Sequence, residues 1–248
     1  MAAEEPAPGL NGGYAYPELL CDTEWLGDHL DDPNVRVVDC DQFMEYRRGH
    51  IRNAAAILAP HHYVKESGYE TAPKAHPLVM PQAPFTDLMA RMGIGDNTTV
   101  VTYDQSASLY AARFWWVLGL YGHTNVKVLN GGWRKWFDEG RPLSIDPPPA
   151  RDTKWAPQRQ PGWVCTLEDG LAAVGDADTL FLDVRSPAEW DGSNDRGNSR
   201  AGRIPGAVHL EWTDLMDTDR ARSFLPADKM RAILAARGVT PDKRIITY

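Results

Sequence analysis

Three cysteines, Cys21, Cys40 and Cys165, are the only side chains in the chain that could serve as soft nucleophiles or thiolate ligands. They are odd in number and show no Cys-x-x-Cys spacing, so neither a disulfide framework nor a zinc knuckle is expected. Cys40 and Cys165 read as small hydrophobes and Cys21 as an incidental residue, because none heads a loop whose backbone N–H groups could stabilise a thiolate. His61-His62, taken with Cys40, has the residue types of a metal site, but adjacent histidines in a polar loop are expected to be solvated, and no metal is expected. His50, in Gly49-His50-Ile51, reads as a structural histidine with its hydrogen bonds satisfied. Asp39 and Asp183 each end an apolar run and read as braces that accept backbone N–H groups, not as acids or bases. Arg185, two residues past Asp183, is the one substrate-side candidate. It stands where open α/β sheets form their sites, at the C-terminal edge of the strands. It could bind an anion there or pair with Asp183 or Glu189.

These residues recur in a repeated frame. Val37-Val38-Asp39-Cys40-Asp41, Glu45-Tyr46 and Gly49-His50-Ile51-Arg52-Asn53-Ala54 appear early. Phe181-Leu182-Asp183-Val184-Arg185, Glu189-Trp190 and Gly202-Arg203-Ile204-Pro205-Gly206-Ala207 appear later, with a polar insertion at 191–200 that reads as a surface loop. The match resumes at a constant offset of 145 residues, where Met89–Tyr103 faces Leu234–Tyr248. Each of those stretches is an amphipathic helix closed by glycine (Gly93, Gly238), a turn, and a β-branched strand ending in Thr-Tyr. One supersecondary plan written twice predicts two similar domains.

The first copy predicts a helix over 23–30 capped by Asp22 or Thr23, a strand over 36–39 and a helix over 85–92. A strand over 99–103, a helix over 108–120 and a strand over 126–129 follow. In the helix Phe114, Trp115 and Trp116, with Leu109 and Ala112, read as core. Short apolar strands that alternate with helices predict an α/β fold with a parallel sheet covered on both faces. Residues 1–19 read as a disordered lead-in, 20–143 as one domain, 144–162 as a proline-rich linker and 163–248 as the second domain. Asp31-Asp32 and the Asp217/Asp219 cluster read as solvated turns.

Composition narrows the partners. The 248 residues carry a net charge of −8, which argues against nucleic acid or an anionic membrane and requires a local positive pocket for any anionic substrate. No apolar run approaches the roughly 18 residues that span a bilayer. The N-terminus has no secretory pattern, so a cytoplasmic protein is expected, and a monomer.

Six motifs in order, twice over, resemble the tandem-domain rhodanese family of thiosulfate and 3-mercaptopyruvate sulfurtransferases. They include Asp183-Val184-Arg185 with Glu189-Trp190, Gly202 to Ala207, and Gly122-His123 through Val128-Leu129-Asn130-Gly131-Gly132 to Trp133. The resemblance covers roughly Leu20 to Tyr248 and implies two rhodanese-like domains. It implies a cysteine heading the loop after the second repeat's strand, in a ring of inward N–H groups, and that position follows Tyr248. The cysteine takes a sulfane sulfur from a small anionic donor as a persulfide and passes it to cyanide or another thiophile, with no cofactor. The first repeat has Asp104 at the equivalent position, in Asp104-Gln105-Ser106-Ala107-Ser108-Leu109, which implies a catalytically silent first domain.

By the same comparison roughly 40 residues would follow Tyr248, so the second domain is expected to be incomplete, the chain a fragment, and the polypeptide inactive as it stands. The resemblance implies that Arg185 lies near the donor's anionic group. Glu189 stands where some thiosulfate-type relatives place a further arginine. Thiosulfate is the expected donor. The alternatives are 3-mercaptopyruvate or a non-catalytic binding module of the same fold. Certain dual-specificity phosphatases share a cysteine loop, one residue longer, and the tandem layout argues against them.

Overall fold

The computed structural model describes residues 13–57, 79–151 and 153–248. His61-His62, Asp152 and most of the expected lead-in fall outside them. Contacts divide the chain into two units. The first runs to Trp163 and takes in Asp219–Ser223, and the second comprises Val164–Thr218 and Phe224–Tyr248.

Unit one contains β1 (Leu20–Cys21), α1 (Thr23–His29), β2 (Val35–Asp39), α2 (Phe43–Arg48), β3 (His50–Ile51) and β4 (Ala55–Ala56). It continues with α3 (Gln82–Met92), β5 (Thr99–Tyr103), α4 (Leu109–Leu120), β6 (Val126–Leu129), α5 (Gly132–Asp138) and β7 (Leu143–Ser144). Its main sheet is parallel in the order β1-β6-β5-β2-β4, and β3 pairs antiparallel with β7. Every residue of β2 is buried, so both faces of the sheet are covered there, and the β-branched valines of β2 and β5 suit that position. Leu26, Val37, Ile51, Val101, Tyr103, Leu129 and Trp136 form the core beneath the site described below.

Local chemistry sets the helix ends. Asp22 caps α1 by accepting the Trp25 N–H at 2.8 Å. α3 ends at Gly93 in the left-handed region, where a Cβ would also strike the buried Arg36 guanidinium. The core face of α4 differs from the expected one. Ala111, Phe114, Val117 and Leu118 are buried, whereas Leu109 and Ala112 are exposed and Trp115 and Trp116 are only half-buried. The two tryptophans meet Trp163 instead, by ring contact at 5.5 Å from Trp115 and by a Trp116 Nε1–H bond to its carbonyl. The proline-rich stretch packs along unit one. His50 meets the Asp146 carbonyl at 3.0 Å, Arg151 donates to the Val35 carbonyl, and Gln158 donates to the Tyr121 carbonyl.

Unit two contains α6 (Leu167–Ala173), β8 (Thr179–Asp183), α7 (Pro187–Asp191), β9 (Val208–His209), α8 (Ala227–Ala235) and β10 (Arg244–Thr247). Its sheet is parallel in the order β10-β8-β9. Val38 faces Thr102 in unit one and Leu182 faces Thr247 in unit two, so Tyr103 and Tyr248 close corresponding strands. Thus β8 repeats β2, β10 repeats β5 and β9 repeats β4. Among the described residues β10 has a sheet neighbour on one side only, where β5 has two. Cys21 and Cys40 are buried, but Cys165 is exposed, contrary to its reading as a core hydrophobe. It lies at the start of unit two, on the wall of an open apolar cleft shared with Leu171, Phe181 and Ile246. Among the described residues no helix is long and apolar enough to cross a membrane.

Candidate active site

In unit two the site residues gather at the C-terminal ends of β8 and β10. Asp183, the last residue of β8, has no side-chain exposure and accepts the Arg185 N–H at 3.1 Å, as expected of a brace. Arg185 turns back onto it, with Nε 2.9 Å from Oδ1 and Nη2 on Oδ2. A third bond runs from Nη2 to the Gly202 carbonyl at 2.9 Å, and the guanidinium lies 5.2 Å from the Tyr248 ring centre. Arg185 is therefore a fixed, half-buried cation beside the end of β10. Its partner is Asp183 and not Glu189. Glu189 is held by the Ser186 hydroxyl at 2.7 Å and by Arg196 from the polar insertion at 3.2 Å. Burial pushes the Asp183 carboxyl up, and the hydrogen bonds from Arg185 and Tyr248 outweigh it, so the net shift is downward. Arg185 itself is raised, first by its bond to Asp183.

Tyr248 is a site residue that the motif reading missed. Its hydroxyl accepts the Ile204 N–H at 3.1 Å and hydrogen-bonds Asp183, while its backbone ties to Leu182 and Val184. The same device stands in unit one. The Tyr103 hydroxyl donates to Asp39 and accepts the Ile51 N–H at 3.1 Å. A tyrosine at the strand end in both repeats was the available signal. His50 is satisfied as expected, within 3.0 Å of the Tyr46 and Asp146 carbonyls.

Unit one carries a complete loop after its tyrosine. Asp104 is buried, and its carboxylate accepts four backbone N–H groups. Those of Ser106 and Ser108 reach Oδ1, and those of Tyr110 and Ala111 reach Oδ2, all at 2.8 Å. Ala107 and Ser108 adopt left-handed backbone angles of 57° and 66°, which turn the amides inward. Burial pushes the Asp104 carboxyl up from its ordinary value, and the four donors pull against that. Gln105 donates its N–H to Asp41 at 3.0 Å, so Asp41, at the position Arg185 holds in the other repeat, braces the loop.

Beside the loop is a cleft of about 240 Å³ walled by Asp39, Asp41, Glu45, Trp133, Phe137 and Leu143. Burial, opposed by Tyr103, pushes Asp39 up to about 6, and burial with the charge of Asp39 pushes Asp41 up to about 8. Its lining also includes Arg48, so three carboxyl groups share the cleft with one guanidinium. Among the described residues no group of three or more His, Cys, Asp or Glu side chains could hold a metal ion. Burial pushes the Cys21 and Cys40 thiols up, away from nucleophilic character.

Comparison with known proteins agrees with this geometry. The model of the rhodanese-like domain matches residues 22–139 and 166–248. The sulfur carrier protein TtuD of Thermus thermophilus is 32% identical over 248 residues, covering 95% of this chain and 84% of the relative. A thiosulfate sulfurtransferase of Corynebacterium glutamicum is 30% identical over 94% of this chain and 79% of its own length. The 3-mercaptopyruvate sulfurtransferase SseA of Escherichia coli superposes with a TM-score of 0.78 at 26% identity, covering 92% of this chain and 87% of SseA. Coverage of that extent lends no support to the expectation that the chain is a fragment.

Proposed function

The chain belongs to the rhodanese-like family, and from that membership we propose that it moves a sulfane sulfur from thiosulfate to cyanide or another thiophilic acceptor through a cysteine persulfide. Relatives named as thiosulfate and 3-mercaptopyruvate sulfurtransferases support sulfurtransfer as the activity. The observation that carries the reading is the pairing of the two strand ends. Tyr103 is followed by a loop that surrounds an anion with four N–H groups, and Tyr248 closes the corresponding strand beside a fixed guanidinium.

In this reading the sulfur-carrying cysteine belongs at the position after Tyr248. Its thiolate attacks the outer sulfur of thiosulfate, the new S–S bond forms, the old one breaks and sulfite leaves with the electron pair. The persulfide then passes its outer sulfur to the acceptor and returns to thiolate. Arg185 faces the negative oxygens of the donor, its charge set in place by Asp183 and the Gly202 carbonyl. A donor anion repelled by the chain's net charge of −8 needs such a local cation. The protein acts as a cytoplasmic monomer in this reading.

The test is thiocyanate formation from cyanide with thiosulfate or 3-mercaptopyruvate as donor. The 248-residue polypeptide should give no turnover with either, because none of its three cysteines occupies the required position. A polypeptide continued past Tyr248 with a cysteine-headed loop should turn over, thiosulfate preferred. Turnover by the 248 residues alone would refute the placement of the cysteine, and preference for 3-mercaptopyruvate would refute the donor.

A further inference from the structure

We propose that the cleft of unit one binds a small organic cation, a protonated amine carried on an apolar body. The cleft would do so whether or not the sulfurtransfer reading holds. Three observations of different kinds support this. First, the cleft has room and a preformed wall. Its volume of about 240 Å³ admits a phenyl ring with a short side arm, and Trp133, Phe137 and Leu143 give it an apolar side. The Trp133 and Phe137 rings stack at 4.7 Å and 14°, and the Trp133 Nε1–H is anchored on the Gly49 carbonyl at 3.1 Å. Phe137 remains 45% exposed, so the wall stands ready for an apolar body. Second, the acceptors outnumber the donors that serve them. Asp39 takes the Tyr103 hydroxyl and the Asp41 N–H, and Asp41 takes the Gln105 N–H. Glu45, from α2, differs, because its Oε2 is buried with no hydrogen-bond partner among the described residues. Arg48 lines the same cleft, yet among the described residues it makes no ion pair with any of the three carboxyl groups. A ligand N–H would relieve that orphaned oxygen.

Third, the charge is reversed between the repeats. Asp41 stands where the second repeat carries Arg185, so equivalent positions offer a carboxyl group in one unit and a guanidinium in the other. The cleft of unit one therefore disfavours the anions that Arg185 attracts. A metal ion is a poorer match than an amine, because among the described residues no three His, Cys, Asp or Glu side chains gather as ligands. An ammonium has three N–H donors to share between separated carboxyl groups, and aromatic faces both attract its charge and hold its apolar body.

The experiment is isothermal titration calorimetry of the full chain with phenethylammonium chloride, in an amine-free, slightly alkaline buffer that ionises Asp39 and Asp41 despite their raised values. Phenethylammonium should bind at one saturable site with a Kd of about 1 mM or tighter. Phenethyl alcohol, the same body without the charge, should bind at least about tenfold more weakly, and phenylacetate should give no saturable heat. Glu45→Gln keeps the shape and removes the charge at the orphaned oxygen, and it should weaken phenethylammonium about tenfold. Phe137→Ala, which strips the apolar wall, should weaken it by a similar factor, about tenfold. Leu171→Ala, in the apolar cleft of unit two, should bind as the wild type does. Glu45 and Phe137 are both partly exposed, so their variants should fold, and if one melts well below the wild type the other decides. No saturable heat, equal affinity for the alcohol, or wild-type affinity in the folded variants of Glu45 and Phe137 would overturn the proposal. Binding weakened by Leu171→Ala would place the ligand in unit two and overturn it as well.

Discussion

The Tyr248 hydroxyl accepts the Ile204 N–H at 3.1 Å, and it repeats the Tyr103 hydroxyl on the Ile51 N–H at the same distance. Each tyrosine also bonds the aspartate that ends the neighbouring strand, Asp183 or Asp39. One ring therefore locks a strand end, a turn and a carboxylate. In unit one all three are buried. Tyr103→Phe should leave the buried Ile51 N–H without its partner and Asp39 with only the Asp41 N–H, and cost about 2–4 kcal/mol in urea unfolding. Tyr248→Phe, at a half-buried ring, should cost about 1 kcal/mol. Equal losses at the two sites would show that burial does not govern the bond's worth here.

The Arg185–Asp183 pair predicts an acid limb. The folded-state pKa of Asp183 lies below its ordinary value. Its contribution is therefore fully present above about pH 4 and is lost as pH falls through the folded value. Arg185→Leu removes the hydrogen bonds that hold the pKa down and leaves burial, which raises it. The variant should lose about 3 kcal/mol near neutrality, and that deficit should shrink as pH falls, because protonation relieves the uncompensated buried carboxylate and the Asp183 part of the acid limb disappears. Arg185→Lys keeps the charge but not the paired bonds and should fall between. An unchanged acid limb in Arg185→Leu would mean that the pair does not set the Asp183 pKa.

Much of this was legible in the residues. The constant offset between Met89–Tyr103 and Leu234–Tyr248 located two copies of one unit, and both place tyrosine at the end of an equivalent strand. Apolar β-branched runs marked β2 and β5. Other features carried no side-chain signal. The cradle around Asp104 consists of amides, and its left-handed residues are Ala107 and Ser108, which do not announce a turn as glycine does. α4 is apolar nearly all round, so periodicity could not select Ala111, Phe114 and Val117 over Leu109 and Ala112. β3 and β7, two residues each, are too short for any pattern to show.

Asp41 predicts an alkaline limb of opposite sign. Burial and the neighbouring Asp39 push its pKa up to about 8, so the folded state holds protons that the unfolded chain releases near pH 4. Stability should therefore decline as pH rises from about 4 to about 8, shared between Asp39 and Asp41 as a coupled pair. Asp41→Asn keeps an oxygen for the Gln105 N–H and removes the charge. It should flatten that decline and be more stable than the wild type at pH 8. A variant that parallels the wild type across the range would place the titration elsewhere.

Gly132 predicts the sharpest backbone effect. Its φ of 51° lies in the left-handed region, and a Cβ there would stand 2.2 Å from the Asp104 carbonyl oxygen. That oxygen cannot retreat easily, because it accepts the Trp133 N–H at 3.0 Å while its own residue is pinned by four amides. The second glycine of the Gly131-Gly132 pair is thus required twice, for its conformation and for the approach of the loop. Gly140 shares the left-handed angle, at 67°, but a Cβ there would meet nothing within 4 Å. Gly140→Ala should then cost only the conformational penalty, about 1 kcal/mol. Gly132→Ala should cost about 3 kcal/mol or more, because the clash adds to the strain. Similar losses for the two alanine variants in urea unfolding would show that the loop yields to a methyl group and is not rigidly held.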